Sequence, residues 1–314
     1  MEKGVENLKF PLKEKCVAML APSFVVDFSY PKIIFQLRDL GFDKIVELTF
    51  GAKMVNREYH KILKKSKGLL ISSVCPGIVE TIKARFPNYK KNLIPVDSPM
   101  TATAKICKKF FPNYKTIFIA PCDFKKIEAQ KSSFVDYTID YAELNNLFEK
   151  FNLNKKKYPE NKQPIFDKFY NDYTKIYPIA GGLSKTAHLR NILKQNETLA
   201  IDGIDEVIKF LNNPKKEIKF LDVTFCKGGC IGGPKVSSKL PIPLRKKKVL
   251  DYLKVAEKET IPENRKGIIK DAKGISFKSN YPNKNQSSLR SLSFTNANEW
   301  SYYLLKNILI RFIN

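Results

Sequence analysis

The sequence is poor in histidine and tryptophan: its 314 residues include two histidines and one tryptophan. Histidine is the usual base and metal ligand of enzyme sites, so few such sites can be built here. Neither His60 nor His188 belongs to a pattern for nucleophilic catalysis, and we expect both to be structural. No phosphate-binding glycine-rich loop occurs either. These absences disfavour histidine-based and phosphate-based chemistry.

Long apolar runs are also missing. No stretch approaches the roughly 20 apolar residues that a membrane span needs, and the most apolar end, residues 302–313, is interrupted by Lys306 and Arg311. The first fifteen residues carry charges throughout, so we expect no signal peptide. We therefore expect a cytoplasmic protein with no membrane partner. Its length suffices for one large domain or for two lobes that share a cleft.

Positive charge is in excess, with 56 Lys and Arg against 31 Asp and Glu and a formal net charge of +25. Such a balance is compatible with nucleic-acid binding. However, the basic runs at 155–157 and 246–248 are short, and no helix-turn-helix, zinc-finger or RNA-recognition pattern accompanies them. We expect lysines spread over solvated faces, no nucleic-acid partner, and a surface that attracts acidic proteins.

Short apolar runs alternate with helical periodicity along most of the chain. Candidate strands cover residues 16–20, 44–48, 69–72, 116–119, 134–139, 199–202 and 218–223. Candidate helices cover residues 31–40, 55–64, 77–85, 101–110, 142–151, 204–211 and 243–255. This alternation predicts an α/β fold with twisted, mainly parallel sheets flanked by helices.

Composition divides the chain into two lobes and a tail. The stretch 152–164 is rich in Lys, Asn and Pro and predicts a loop between lobes of roughly residues 1–150 and 165–257. Residues 258–314 lose the periodicity, and from Ile261 to position 295 they are rich in Lys, Asn and Ser. We expect this tail to be poorly patterned and partly disordered.

Six cysteines in a chain without secretory features argue against a disulfide framework. Cys16 opens an apolar run and Cys107 lies in a helical pattern, so we expect both to be core residues. The other four cysteines lie in loops rich in proline and glycine. Metal or cluster binding is the better interpretation of cysteines in such loops.

These four cysteines occupy three short motifs. Cys75 lies in Ser-Val-Cys-Pro-Gly, Cys122 in Ala-Pro-Cys-Asp-Phe-Lys, and Cys226 and Cys230 in Cys-Lys-Gly-Gly-Cys-Ile-Gly-Gly-Pro. Each motif follows a predicted strand, and ligands collect beyond the carboxyl ends of the strands in open α/β sheets. Four thiolates can hold an iron–sulfur cubane, whereas buried thiols or a zinc site are the alternatives. Zinc sites usually have two residues between paired cysteines, a spacing that is absent here.

In order and spacing, the three motifs resemble those of the catalytic, or H-cluster, domain of the iron-only (FeFe) hydrogenases. That family carries Thr-Ser-Cys-Cys-Pro-x-Trp, then Met-Pro-Cys-x-x-Lys-x-x-Glu, then Cys-x-x-x-Cys followed by glycines. The counterparts here are residues 72–78, 120–128 and 226–234, and the resemblance covers roughly residues 15–255. It implies an H-cluster domain over residues 1–257, with the iron–sulfur site in the cleft between the two lobes.

The resemblance assigns roles to individual residues. Cys75, Cys122 and Cys226 match the ligands of a 4Fe-4S cubane. Cys230 matches the thiolate that bridges the cubane to a two-iron unit with carbon monoxide, cyanide and dithiolate ligands. Lys125 matches the lysine that donates a hydrogen bond to an iron-bound cyanide, an arrangement in which a cation satisfies a buried anion.

The same resemblance extends to the surrounding loops and to partners. Pro121 stiffens the loop beside Cys122, and Gly229 and Gly232 keep side chains clear of the cluster. Maturation proteins would assemble the two-iron unit. Family members usually carry ferredoxin-like clusters upstream, and no such pattern precedes Cys16. Electrons would therefore come from a separate ferredoxin-like carrier, or the chain is a fragment.

Departures from the family lie mainly on the proton route. The family has a proton-relaying cysteine where this chain has Val74, and its other relay positions fall at residues that do not relay protons: Tyr59, Ile62 and Ile94. Aliphatic side chains cannot pass a proton. Ala120 replaces the methionine of the second motif. The Cys-Ile-Gly-Gly-Pro ending looks like that of a divergent branch of the family to which a sensory role is ascribed.

Three functions remain open on the sequence. The first is a divergent hydrogenase that binds an H-cluster and handles hydrogen slowly or as a signal. The second is a non-catalytic protein that carries only the cubane, similar to cluster-assembly relatives of the family. The third is a degenerate product without a cofactor, which the four cysteines disfavour. The Cys-Ile-Gly-Gly-Pro ending favours the first.

Overall fold

Two parallel sheets form the framework of the computed structural model, which describes residues 3–159 and 164–279. The strands are β1 (Cys16–Leu20), β2 (Lys44–Glu47), β3 (Leu70–Ile71), β4 (Lys115–Ala120), β5 (Tyr137–Asp140), β6 (Thr198–Asp202) and β7 (Phe220–Thr224). One sheet has the order β2-β1-β4-β5 and the other the order β3-β7-β6. Every pairing between these strands is parallel. The predicted α/β class is therefore confirmed.

Helices flank both sheets. They are α1 (Lys32–Asp39), α2 (Thr49–Lys65), α3 (Pro76–Arg85), α4 (Pro99–Phe110), α5 (Asp123–Lys131), α6 (Tyr141–Lys150), α7 (Gly182–Thr186), α8 (Ile204–Asn212) and α9 (Ile242–Lys258). The sequence pattern misses α5 and α7. Helix α5 buries only Phe124 and Ala129 and so has no apolar stripe, and α7 is little more than one turn. Helix α2 begins six residues before the predicted start, because its first turns are buried nearly all round and show no amphipathic period.

The core lies on both faces of the four-stranded sheet. On β1, Ala18 and Leu20 pack with α1, α6 and α9, whereas Val17 and Met19 pack with α2 and α4. Such two-sided burial explains why this central strand is apolar at all five positions. A separate cluster joins the three-stranded sheet to α3 and α8. Cys16 and Cys107 are fully buried in the core, as predicted.

Part of the tail is ordered against the body of the protein. Residues up to Ser279 include two short 3-10 helices, Glu263–Arg265 and Ile269–Ala272. Gly267 lies so close to the ring of Phe50 that a Cβ there would approach it to 2.5 Å. The prediction of disorder for 280–314 falls outside the described residues. No helix in the described ranges is both long and apolar enough to cross a membrane.

A buried ion pair joins the sheet to the second half of the chain. The Lys175 ammonium lies 2.5 Å from a carboxylate oxygen of Glu47, at the end of β2, and both side chains are almost fully buried. Lys175 also donates to the Tyr252 hydroxyl of α9 at 2.7 Å, and Tyr252 donates to Glu47 at 3.1 Å. Burial raises the pKa of Glu47, and Lys175 offsets part of that rise. Each buried charge is therefore compensated only while the other is present.

Replacing Lys175 should test this coupling. We expect Lys175→Met to lower the free energy of unfolding by about 3–5 kcal/mol, because it leaves the Glu47 carboxylate buried without a cation. Adding Glu47→Gln should recover part of the loss. The control is Lys254→Met, which breaks the exposed pair with Asp251 and should cost at most about 1 kcal/mol. Urea denaturation measures all four proteins, and equal losses for both single variants would contradict the account.

Candidate iron–sulfur site

The four motif cysteines meet at one cavity between the two sheets. Cys75 and Cys122 are the residues immediately before α3 and α5, and they follow β3 and β4 closely. Cys226 lies two residues beyond β7, and Cys230 begins a single 3-10 turn, Cys230–Gly232. All four side chains line the same cavity. The carboxyl ends of strands from both sheets thus deliver them to one place.

Two of these cysteines stand at the start of a helix. Cys75 and Cys122 each stand at a helix N-terminus, where unpaired backbone N–H groups and the helix dipole favour negative charge. The N–H groups of Phe124 and Lys125 both donate to Cys122 and lower the pKa of its thiol. This effect is smaller than that of burial, which raises the same pKa.

Burial and mutual repulsion oppose ionisation of the cysteine thiols. Burial, the largest cause, raises the pKa of Cys122 and Cys226, and neighbouring thiolates raise both further. The pKa of Cys230 rises to about 11 for the same reasons, although Lys125 partly opposes the change. Cys230 is nevertheless exposed as a side chain, because the surface it presents lines the cavity.

The donor set fits an iron–sulfur cubane. Lys125 is the one cation among the described residues that line the cavity, and one ammonium cannot balance four thiolates. A cationic metal core that displaces the four protons would offset part of that negative charge. Within the described ranges, no three His, Cys, Asp or Glu side chains are arranged to ligate a single metal ion. A cubane is larger than a single ion and takes four cysteine ligands spread around it.

A carboxylate holds Lys125 at the cavity wall. The Lys125 ammonium lies 2.6 Å from Glu128 and donates to the backbone oxygen of Val74 at 3.2 Å. Glu128 also accepts hydrogen bonds from Ser98 at 2.5 Å and Thr101 at 3.2 Å. Sequence reasoning gave Glu128 no role, although its position three residues after Lys125 on a helix was a usable signal.

The positions that match the family's proton relay do not share one environment. Val74 lines the cavity, whereas Tyr59, Ile62 and Ile94 are not among its described lining residues. Tyr59 is fully buried, and its hydroxyl bonds to the backbone N–H and the hydroxyl of Ser73 at 2.8 and 2.9 Å. Ile62 and Ile94 pack in the apolar core. Tyr59, Ile62 and Ile94 thus make the contacts of residues that pack the interior of the protein.

The glycines of the third motif permit close backbone approach. Gly229 has φ +83°, and a Cβ there would lie 2.6 Å from the carbonyl oxygen of Pro178. The neighbouring Cys230 N–H donates to this same oxygen at 2.8 Å. A Cβ at Gly232 would lie 1.9 Å from the carbonyl oxygen of Lys227. The loop around Cys230 therefore requires glycine for its own folding, and Pro121 closes the cavity beside it.

Two cavity residues have no counterpart among the sequence predictions. Asp222 on β7 lines the cavity, and so does Tyr177, whose buried hydroxyl has no hydrogen-bond partner among the described residues. The sequence around Tyr177 contains no signal that could have identified it. Asp222 could have been noticed, because it is a charged residue between the apolar residues of a predicted strand.

Known hydrogenases resemble this chain in sequence. Iron hydrogenase 1 of Clostridium pasteurianum is 25% identical over 299 residues, which cover 74% of this chain and 52% of that protein. The NADP-reducing hydrogenase subunit HndD of Solidesulfovibrio fructosivorans is 26% identical over 264 residues, covering 64% of this chain and 44% of that protein. The chain thus spans about half the length of these relatives.

Solved structures share the fold. An apo form of FeFe-hydrogenase HydA1 from Chlamydomonas reinhardtii matches with a TM-score of 0.60 and 14% identity, covering 83% of this chain and 87% of that one. Residues 14–234 match the family described as "Iron only hydrogenase large subunit, C-terminal domain". The match spans well over half of the 314 residues and includes all four motif cysteines. The chain therefore belongs to the family formed by the C-terminal domains of iron-only hydrogenase large subunits.

Proposed function

We propose that this protein is a divergent iron-only hydrogenase-like protein that turns over hydrogen slowly or senses it. Cys75, Cys122 and Cys226 hold a 4Fe-4S cubane, and Cys230 bridges it to a two-iron unit with carbon monoxide, cyanide and dithiolate ligands. The observation that carries the proposal is the meeting of the four cysteines and Lys125 in one cavity. Hydrogenase maturation proteins would supply the two-iron unit, and a ferredoxin-like carrier would exchange electrons with the basic surface.

The shape of the cavity favours this proposal over a protein that carries only the cubane. The cavity extends past the cysteines to apolar residues that a cubane has no need to touch, including Ala21, Leu48 and Met100. Lys125 also faces this cavity and can donate to an anionic ligand there. The apolar extension of the cavity supports a second subsite beside the cubane. In a protein that carries only the cubane, this extension would have no ligand to serve, whereas Lys125 could donate to an anionic cluster in either protein.

Several residues have defined tasks in this account. When bound, the two-iron unit supplies the centre at which dihydrogen is formed or split. The Lys125 ammonium, held in place by Glu128, would donate a hydrogen bond to a cyanide ligand of that unit. Cys230 would hold the unit beside the cubane. Val74 excludes water from its part of the wall and cannot relay a proton, so proton supply limits turnover.

Infrared spectroscopy tests the two-iron unit. After anaerobic co-expression with the maturation proteins, the purified protein should show carbonyl and cyanide stretching bands. Cys230→Ser should lose these bands and keep iron–sulfur absorption, because the cubane retains three cysteine ligands. The control is Cys107→Ser, which changes a buried thiol away from the cavity and should keep the bands in folded protein. A wild-type sample with a full cubane and no bands would favour the protein that carries only the cubane.

Hydrogen turnover tests the loss of the relay. General acid–base groups contribute about 10²–10⁴-fold to rates, and we expect hydrogen evolution with a reduced dye to be lower by that order than in relay-intact members. Val74→Cys should raise the rate of hydrogen evolution little above that of its control, Val74→Ala. The reason is that Tyr59, Ile62 and Ile94 still occupy the other positions of the family's proton relay. Fast turnover by the wild type, or a large gain in Val74→Cys alone, would contradict this expectation.

A further inference from the structure

Asp222 is a buried acid at the edge of the candidate cluster site. It lies on β7, four residues before Cys226, and it lines the cavity. It is the one carboxyl-bearing residue among the described residues of the lining, as Lys125 is the one cation. A carboxyl group beside a redox cofactor can exchange a proton with its surroundings when the charge of the cofactor changes.

The surroundings of Asp222 differ from those of the other buried acids. Four acidic residues in the described ranges are buried, with at most 5% of their surface exposed, namely Glu47, Asp97, Asp140 and Asp222. The first three form ion pairs with lysines at 2.5 to 2.7 Å, whereas the hydrogen-bond partner of Asp222 is the neutral Ser184. Burial is the largest cause acting on all four carboxyl groups, and it raises the pKa of Asp222, which only hydrogen bonds from Ser184 oppose.

Ser184 connects Asp222 to the outside of the protein. One carboxylate oxygen, Oδ2, accepts from both the backbone N–H and the hydroxyl of Ser184, at 2.9 and 2.8 Å. Ser184 lies on α7 and is partly exposed, whereas Asp222 is buried. A hydroxyl can donate one proton while it accepts another. Asp222 therefore has a hydrogen-bonded contact with a partly exposed residue on one side, and the cavity on the other.

We propose that Asp222 exchanges protons between solvent and the cofactor cavity, with Ser184 as its contact with the surface. This proposal rests on the proposed function, because it requires a cluster in the cavity. For each proton that leaves the carboxyl group towards the cavity, one returns from water through the Ser184 hydroxyl. No electron passes through either residue. The route lies on β7 and α7, whereas the lost relay position, Val74, lies between β3 and α3.

Other titratable groups around Asp222 do not compete with it near neutral pH. Tyr59 on α2 and Tyr177 after the 3-10 helix Tyr173–Ile176 feel its charge, and burial raises the pKa of each above the ordinary tyrosine value. Both therefore remain neutral. The cysteines of the cavity are cluster ligands in the loaded protein, and the Lys125 ammonium is paired with Glu128.

The reduction potential of the cubane, measured against pH, tests the proposal. Reduction of the cubane adds negative charge beside the carboxyl group and so raises the pKa of Asp222. The potential of the wild-type protein should therefore fall as pH rises through the pKa of Asp222. Asp222→Asn keeps the size and an acceptor for Ser184 but cannot exchange a proton, so this dependence should be lost. Ser184→Ala removes a hydrogen bond that lowers the pKa, and the dependence should shift to higher pH.

The matched control is Asp140→Asn. Asp140 is equally buried but paired with Lys126 and outside the described cavity lining, and asparagine can still cap α6. This variant should keep the wild-type pH dependence. A flat profile in the wild type, or an unchanged profile in Asp222→Asn, would overturn the proposal. The potential measurement needs only the cubane. If carbonyl and cyanide bands are missing, the two-iron unit is absent, but the test of Asp222 can still be carried out. A protein that binds no cubane would overturn both proposals.

Discussion

The site depends on one electrostatic constraint, the grouping of four thiols around a shared cavity. Burial and neighbouring thiolates raise the pKa of Cys122, Cys226 and Cys230. Two helix N-termini and one ammonium favour negative charge but cannot balance four thiolates. A cationic metal core would offset part of that charge and favour loss of the four protons on ligation. The parallel sheets matter because their carboxyl ends hold these thiols together before any metal binds.

Apart from the cysteines, two ionisable side chains of ordinarily charged type line the described part of the cavity, Lys125 and Asp222. Their hydrogen-bond partners differ in charge. Lys125 is fixed by Glu128, so its charge is stationary and suited to holding an anionic ligand. Asp222 is hydrogen-bonded to the neutral Ser184 and has no cation as its partner in the described hydrogen bonds and ion pairs, which is the basis for the proton exchange proposed above.

Much of the fold could be predicted from the sequence, because central strands and amphipathic helices carry strong periodic signals. Helix α5 was missed since few of its side chains are buried, yet it carries Lys125 and Glu128. The cysteines could be grouped because each motif follows a strand. The contact of Asp222 with Ser184 could not be foreseen, since the two residues are far apart in the chain and meet only through the packing of α7 on β7. The packing of residues 260–279 also depends on contacts, such as that of Gly267 with Phe50, that have no local signal.

The central claim is that the four cysteines share one iron–sulfur cluster. An anomalous-difference map at the iron absorption edge, from crystals of anaerobically reconstituted protein, tests it most directly. The account predicts a four-iron peak bonded to the sulfur atoms of Cys75, Cys122 and Cys226, with its fourth corner at Cys230. A single metal atom, or iron bound away from these sulfur atoms, would contradict it.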